Sequence, residues 1–590
     1  MRTKYILLLI VGWLSCMTAE AQNDKLTVYG SGRFILQNNS RSGELFQESI
    51  LNGDTLAADT VSTRREIGGV ALFDLGFRIK PNSSTEINAL TRVSGDLDGF
   101  WGAGIGFTFR ELYVRGLVKN KVRYRVGDLD LKMTPFTLYN SNPDLGTHSM
   151  SALSLFQDIN EYENFSRDNQ WRQQGAHIDF QLLMGEKGDR VDFMGYMTKN
   201  RQTDFFFVPD RLMTGGQVVW NREGLGRVFA QTNNFFEIAE TAQFNEGTSA
   251  TSAHSLGAEL APFDNKSFVL YGEGGMSYQG YVEQEGAPEE KEISGFVDLG
   301  LRKPAKDGKF GYYGEIMHVS SGFRSPGAQS RRVNFNSFAQ NLTFETNQET
   351  TRALTAFDLI QDATVYNNTI VVNLQDFHPG YSNVLPYGKA TPNRQGLLAG
   401  IVRMADSLVV SKVGADVALL TEASGQGIAT YRNFAMVDID AELSLHNLWG
   451  GKMKTKVEAH FHLENTSRDG LDAESAAVAG IGELDLSSNY FEAGISHEIA
   501  EGLALHVAAV GLSANGNEFI ALRDGFGQVV DYTDAEYDFS DMTYLVGMRY
   551  GFSPTSNLQV QFRTSEITNE LDPTSGYNWN QFIFTYNLFF

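Results

Sequence analysis

From 437 to 446 apolar and polar residues alternate one for one. Val437, Ile439, Ala441, Leu443 and Leu445 fall on one side, and Asp438, Asp440, Glu442, Ser444 and His446 on the other. Side chains two apart on an extended strand share a face, so this pattern predicts a strand with one apolar and one charged face. The stretch 452–464 repeats it. Met453, Thr455, Val457, Ala459, Phe461 and Leu463 alternate with Lys452, Lys454, Lys456, Glu458, His460, His462 and Glu464. Only 447–451 (NLWGG) lies between, a glycine-rich turn that predicts a hairpin centred near Trp449. In that register Glu442 faces Lys456 and Ser444 faces Lys454, which pairs opposite charges across the polar side.

The same alternation returns along the chain. Ile87, Ala89, Thr91 and Val93 alternate with Glu86, Asn88, Leu90 and Arg92. Val122, Tyr124 and Val126 alternate with Lys121, Arg123 and Arg125. Tyr544, Val546, Met548, Tyr550 and Phe552 precede the turn 553–557, after which Leu558, Val560 and Phe562 alternate with Gln559, Gln561 and Arg563. A soluble β-sandwich would alternate too. Here the polar face carries full charges along most of its length and the apolar face almost none, which suits a wet interior and a lipid exterior. Connections also alternate between tight (119–120, 447–451, 500–502, 553–557) and long (38–64, 134–169, 320–394, 514–541). Short periplasmic turns and long extracellular loops are the outer-membrane pattern. The expectation is an all-β chain forming a single closed antiparallel transmembrane β-barrel of about 18 strands, within a range of roughly 16–20. The long segment 320–394 is expected to enter the lumen, cap the outer mouth or bind a partner, with a short helix over 351–362.

The two ends agree with export. Arg2 and Lys4 precede the apolar run 5–13, and Ala19-Glu20-Ala21 supplies a small-x-small cleavage pattern, so a signal peptide over 1–21 is expected, with the barrel over 22–590. Cys16 raises a lipoprotein alternative, but Trp13 stands where a lipobox needs a small aliphatic residue. Residues 26–29 enter a strand almost at once, leaving no room for an N-terminal plug domain. At the other end Phe582, Phe584, Tyr586, Leu588 and Phe590 occupy alternate positions to the last residue. Together the leader, the Gln22 that follows it and this aromatic ending resemble an outer-membrane β-barrel protein of the Bacteroidota. That resemblance implies an outer-membrane location, contact with lipid, insertion by barrel-assembly machinery that recognises the terminal strand, and room for a lipoprotein or barrel partner.

Composition removes several classes. Cys16 is the only cysteine and leaves with the leader, so the mature chain has no disulfide, thiolate metal site or cysteine nucleophile. The net charge of −23 argues against nucleic acid, whose phosphates need a basic surface. Thirteen prolines against 59 glycines and 41 phenylalanines suit strands, turns and interface aromatics. No nucleophile elbow, zinc-protease or phosphate-loop motif occurs, so neither an enzyme nor a cofactor is expected.

Three groups of residues could carry function. Arg92, Arg115, Arg123 and Arg125, on predicted strands 85–95, 107–118 and 121–131, would share the inner face as a basic stripe favouring anions. The alternative is that they pair with Glu86, Glu111 and Asp128 inside a filled barrel. Asp438, Asp440, Glu442, Lys454 and Lys456 would line the lumen. His460, His462, Glu458 and Glu464 share a face as metal ligands might be arranged, but a polar lumen tolerates any polar residue, and no metal site is assigned. The expected function is a porin-like channel for small solutes. The alternative is a non-conducting barrel subunit or scaffold of a larger outer-membrane complex.

Overall fold

The computed structural model describes all residues except 1–24, 52–53, 97–104, 140–149, 154, 156–170, 186–187, 245–246, 262–267, 284–289, 330–373, 375–376, 378, 426–429, 451–452, 471–481, 524–528 and 574–575. The expected leader and the expected helix over 351–362 lie outside the described residues.

Among those described, 22 strands form one antiparallel sheet. The first five are β1 (Leu26–Leu51), β2 (Asp54–Asn82), β3 (Thr85–Asp96), β4 (Ile105–Val118) and β5 (Val122–Leu131). A long connection leads to β6 (Trp171–Met184), β7 (Asp189–Arg201), β8 (Asp210–Arg222) and β9 (Gly226–Ile238). Then come β10 (Gly247–Leu260), β11 (Val269–Glu283), β12 (Glu290–Lys303) and β13 (Phe310–Val319). A second long connection leads to β14 (Arg394–Met404), β15 (Val410–Thr421), β16 (Asn433–Ser444), β17 (Thr455–Arg468) and β18 (Leu484–Ala500). The last four are β19 (Leu503–Arg523), β20 (Val529–Ser553), β21 (Ser556–Asn569) and β22 (Tyr577–Phe589). Each strand pairs with the next in sequence, and β1 pairs with β22 from Ser31↔Phe589 to Gly43↔Tyr577. The sheet is therefore a closed barrel with no free long edge.

The count corrects the expectation of about 18 strands. Alternation undercounts strands whose faces differ little. β10 reads GTSATSAHSLGAEL, small and hydroxyl-rich on both sides, yet it pairs fully with β9 and β11. Two expected long loops are also strand. The β1–β2 hairpin keeps its ladder out to Leu51↔Asp54, and β19–β20 out to Arg523↔Val529. In these extensions apolar residues do not keep to alternate positions, as in Leu45-Phe46 and Phe519-Ile520, so the alternation is lost while the backbone pairing continues.

The faces follow the sequence pattern. On β1 Arg33, Gln37 and Asn39 are buried inside, while Phe34 and Leu36 are exposed on the outside. On β22 Trp579, Gln581, Ile583 and Thr585 are buried inside, while Phe582, Leu588 and Phe590 stand exposed on the outer face with Phe584 and Tyr586 between them half-buried. The outward Ile439, Phe461, Leu463, Val507, Val546 and Phe562 continue an apolar outer surface, as lipid contact requires.

The hairpin β16–β17 forms as expected but in a different register. Ser444 pairs with Lys456 and Glu442 with Glu458, two residues from the expected pairing. A shift of two keeps every side chain on its face, where a shift of one would invert them all. A helical turn, His446–Trp449, and Gly450 at φ +62° take up the extra residues. At 119–120 both Lys119 (φ 49°) and Asn120 (φ 55°) are left-handed, the conformation of a tight two-residue hairpin. The tight turns, the start of β1 and the end of β22 lie at one end of the barrel, and the long connections lie at the other.

Candidate functional site

The four arginines expected to form a stripe all point inward, and each meets a carboxylate. Arg92 is buried and binds Asp74 through two bonds, Nε to Oδ1 at 2.7 Å and Nη2 to Oδ2 at 2.8 Å. Arg110, beside a bulge in β4, donates to the same Asp74 at 2.7 Å. Arg115 pairs with Glu86 at 2.8 Å, Arg125 with Glu111 at 3.1 Å, and Arg123 with Asp179. Arg125 also lies 3.9 Å from the centre of the Tyr113 ring. Two of the three expected acidic partners, Glu86 and Glu111, are thus correct. Asp128 instead accepts the Leu112 backbone N–H at 2.5 Å, and Asp74 and Asp179 supply the remaining carboxylates.

Arg115, Arg123 and Arg125 open onto a cavity of about 670 Å³ at the tight-turn end of the barrel. Lys80, Lys132, His177 and Asp179 share its wall with Glu86. Arg92 lies outside this cavity, on the buried Asp74.

Asp438, Asp440, Glu442 and Lys456 also lie on the inner face. Asp440 takes Lys412 at 2.9 Å, and Glu442 takes Lys456 at 2.9 Å and the Ser411 hydroxyl at 2.8 Å. Gly414, across from Asp440, leaves the room this carboxylate occupies; a Cβ there would meet its Oδ1 at 2.4 Å. Lys454 corrects the expectation, because β17 begins at Thr455 and Lys454 is exposed in the turn.

The histidine pair bonds to neighbouring carboxylates. His460 Nε2 and His462 Nδ1 both donate to Asp438, at 2.8 and 2.9 Å, and His462 Nε2 donates to Glu464 at 3.0 Å. Among the described residues no group of three or more histidines, cysteines or carboxylates could hold a metal.

What periodicity did not reveal is how far the lumen is filled. Two connections from the long-loop end turn inward. Residues 132–139 continue β5 along the inside, with Phe136 stacked on Phe296 at 4.1 Å. Further along, Met150, Ala152, Leu153 and Leu155 pack on Ile35, Val70, Leu72, Leu545 and Ile583 of the opposite wall. The Ser151 N–H donates to Glu458 at 2.8 Å. The described parts of the second connection, 320–329 and 379–393, lie against the inner wall. Phe323, Ala328, Val384 and Ala390 join Phe296, Met317, Leu420 and Phe434 of the wall.

Polar contacts hold the second insertion. Asn383 donates to Glu464 (2.6 Å), Glu518 (2.7 Å) and Thr466 (2.9 Å). Lys389 reaches Glu315 at 2.5 Å and Asp298 at 3.4 Å. The insertions also bond each other, Tyr139 N–H to Gly327 O at 2.9 Å and Ser325 Oγ to Thr137 O at 3.2 Å. One signal in the sequence pointed this way. The inward alternation Leu129, Leu131, Met133 runs past the end of β5, and Phe136 and Leu138 extend its apolar character.

The geometry defines a closed, apolar-jacketed barrel with an ion-paired inner wall, narrowed by two of its own connections. No family model and no curated protein matches the chain. Solved structures similar to it include a BenF-like porin from Pseudomonas fluorescens Pf-5, 9% identical, covering 96% of this chain and 99% of that chain with a TM-score of 0.32. OccK2 (OpdF) of Pseudomonas aeruginosa is 8% identical over 95% of this chain and 98% of that one, with a TM-score of 0.31. The outer membrane channel DcaP of Acinetobacter baumannii is 9% identical over 96% and 97%, with a TM-score of 0.26. Scores of this size assign neither a family nor a solute.

Proposed function

We propose that the protein is a porin-like channel for small solutes in the bacterial outer membrane, reached by way of a cleaved leader and insertion by barrel-assembly machinery. One observation carries the reading. The outer face is apolar while the inner wall holds ionised pairs around a cavity of about 670 Å³, lined by Lys80, Arg115, Arg123, Arg125 and Lys132. The Arg115 and Arg123 side chains are half or more exposed within this cavity, which suits a wet lumen. A barrel of 22 strands is wider than its wall side chains can fill, and the two inserted connections narrow it to a selective size.

Arg115, Arg123 and Arg125 act on anions at this cavity, and their carboxylate partners keep the field local. Planar-bilayer recording tests this. Wild-type protein should conduct, and Arg123→Gln with Arg125→Gln should shift the reversal potential in asymmetric salt toward cations, because Asp179 and Glu111 lose their counter-charges. An unchanged reversal potential would remove the arginines from selection.

A second reading, a non-conducting barrel subunit, is favoured by the bonds that tie the two insertions to each other and to the walls. Absence of any channel activity in the wild type, with co-purification of a lipoprotein or second barrel, would establish it instead.

A further inference from the structure

The inner walls differ around the circumference. On β3 to β6 the inward arginines sit on carboxylates. On β21, β22 and β1 most inward positions carry neutral amides or hydroxyls. Register places Gln561, Ile583 and Gln37 in one row across these three strands, Gln559, Thr585 and Ile35 in the next, and Arg563, Gln581 and Asn39 on the other side. Gln37, Asn39, Gln559, Gln561, Gln581 and Thr585 are all more than nine-tenths buried. Two arginines also lie in the strip: Arg33 Nε donates to Asn587 at 2.9 Å, and Arg563 lies 4.9 Å over the Trp579 ring.

The amides are only half satisfied. Gln581 Nε2 donates to Gln37 Oε1 at 2.9 Å, and Asn39 Nδ2 to the same oxygen at 3.5 Å. The opposite ends have no hydrogen-bond partner: Gln37 Nε2 and Gln561 Nε2 among donors, Asn39 Oδ1 and Gln581 Oε1 among acceptors, and the Thr585 hydroxyl. A buried polar group left unmet in this way is destabilising. The segment containing Met150, Leu153 and Leu155 packs on Ile35 and Ile583 within the strip, and these apolar side chains cannot satisfy any of the amides.

The chemistry of the unmet atoms narrows what would complete them. A carboxylate offers acceptors only and an ammonium group donors only. A hydroxyl group offers both, and the strip lacks both. At strand spacings it measures about 10 Å across three strands and about 13 Å from Gln581 to Thr585, room for about two pyranose rings. Water can fill such a strip, but one ring carrying several hydroxyls replaces several waters at a single ordering cost.

We propose that the inner face of β21, β22 and β1 is a binding strip for a neutral, hydroxyl-rich solute of the sugar or polyol class, which displaces Met150, Leu153 and Leu155 to reach the amides. This deepens the channel reading and rests on it for how the solute arrives, but binding can be measured without conduction. Detergent-purified protein is titrated with maltose and with lactose by calorimetry, with the glucuronate anion as the charged comparison. Wild type should bind the two neutral sugars in preference to glucuronate. Gln561→Leu with Gln581→Leu should weaken maltose binding roughly tenfold, the loss expected from two modest hydrogen bonds. Gln217→Leu, at an inward amide already bonded to Gln231 at 2.9 Å, should bind maltose as wild type does and show that an inner-wall amide can be replaced without loss of the fold. If neither neutral sugar binds, or the double variant binds as wild type while keeping its heat-modifiable mobility, the strip holds water only and the proposal falls. Conductance without sugar binding would leave the channel standing and remove the strip. Sugar binding without conductance would do the reverse.

Discussion

Gly30 and Phe590 exchange a pair of backbone hydrogen bonds, Gly30 N–H to Phe590 O at 2.9 Å and Phe590 N–H to Gly30 O at 3.0 Å. The last residue thereby extends the β22–β1 seam that closes the barrel. Its ring stacks on Phe73 at 6.0 Å, and a Cβ at Gly30 would meet that ring at 2.7 Å. Phe590→Ala, or Gly30→Val, should lower the yield of heat-modifiable barrel severalfold, through loss of the aromatic anchor or obstruction of the seam. Normal abundance and mobility of both variants on gels would show that closure does not depend on this contact.

The two faces of β16 and β17 can be read chemically. Cysteines at Asp438, Asp440, Glu442 or Lys456 should react with membrane-impermeant thiol reagents in whole cells or proteoliposomes. Cysteines at Ile439, Leu443, Val457 or Phe461 should react at least tenfold more slowly, because lipid excludes the reagent and suppresses thiolate formation. A reversed pattern would place the polar face outward.

Asp74 holds two buried guanidinium groups, Arg92 and Arg110, each at 2.7 Å. Asp74→Asn removes the charge but keeps the volume, leaving both cations without their counter-charge. Breaking a buried pair in this way costs about 3–5 kcal/mol. The midpoint of urea unfolding in lipid vesicles should fall accordingly, and Arg92→Met with Asp74→Leu should recover part of the loss. An unshifted midpoint for Asp74→Asn would mean that water already reaches this pair.

The connection between β7 and β8 exposes three consecutive phenylalanines, Phe205, Phe206 and Phe207, around one carboxylate. Asp204 Oδ1 accepts the backbone N–H groups of Val208 at 2.8 Å and of Phe206 and Phe207 at 2.9 Å. These bonds, Val208 foremost, hold the Asp204 carboxyl below the usual carboxylate range. A lowered pKa in the folded state stabilises the loop above the ordinary carboxylate pKa, and the contribution is lost as pH falls through the lowered value. Chymotrypsin cleavage after 205–207 should therefore be slow at neutral pH and several times faster in Asp204→Ala at the same pH. In wild type, amide exchange of Phe206 and Val208 should slow less on acidification than base catalysis alone predicts. Equal cleavage of wild type and Asp204→Ala would show that the carboxylate does not order the loop.

Much of the architecture was legible in the chain itself. The face of each residue on β3, β16, β17 and β22 followed from period two, because lipid outside and water inside impose opposite solubilities on alternate side chains. The inward direction of Arg115, Arg123 and Arg125 and the outward direction of Phe582 to Phe590 follow from the same rule. The turn at 119–120 was legible because only three residues, 119–121, separate the strands.

Strand number, register and the contents of the lumen were decided only by the closed sheet. β10 counts as a strand because its neighbours supply its hydrogen bonds, not because its own residues alternate. Glu442 meets Glu458 rather than Lys456 because the helical turn at His446–Trp449 consumes two more residues than a tight turn would, yet Lys456 still reaches Glu442 diagonally at 2.9 Å. The partners of Arg92 and Arg123 are Asp74 and Asp179, each on an adjacent strand whose register periodicity does not state. The insertions depend on contacts between residues hundreds of positions apart, such as Ser151 with Glu458. Alternation reports the solvent on each side of one strand. Which strands are neighbours, and what enters the space they enclose, depends on closing all 22 around a common axis.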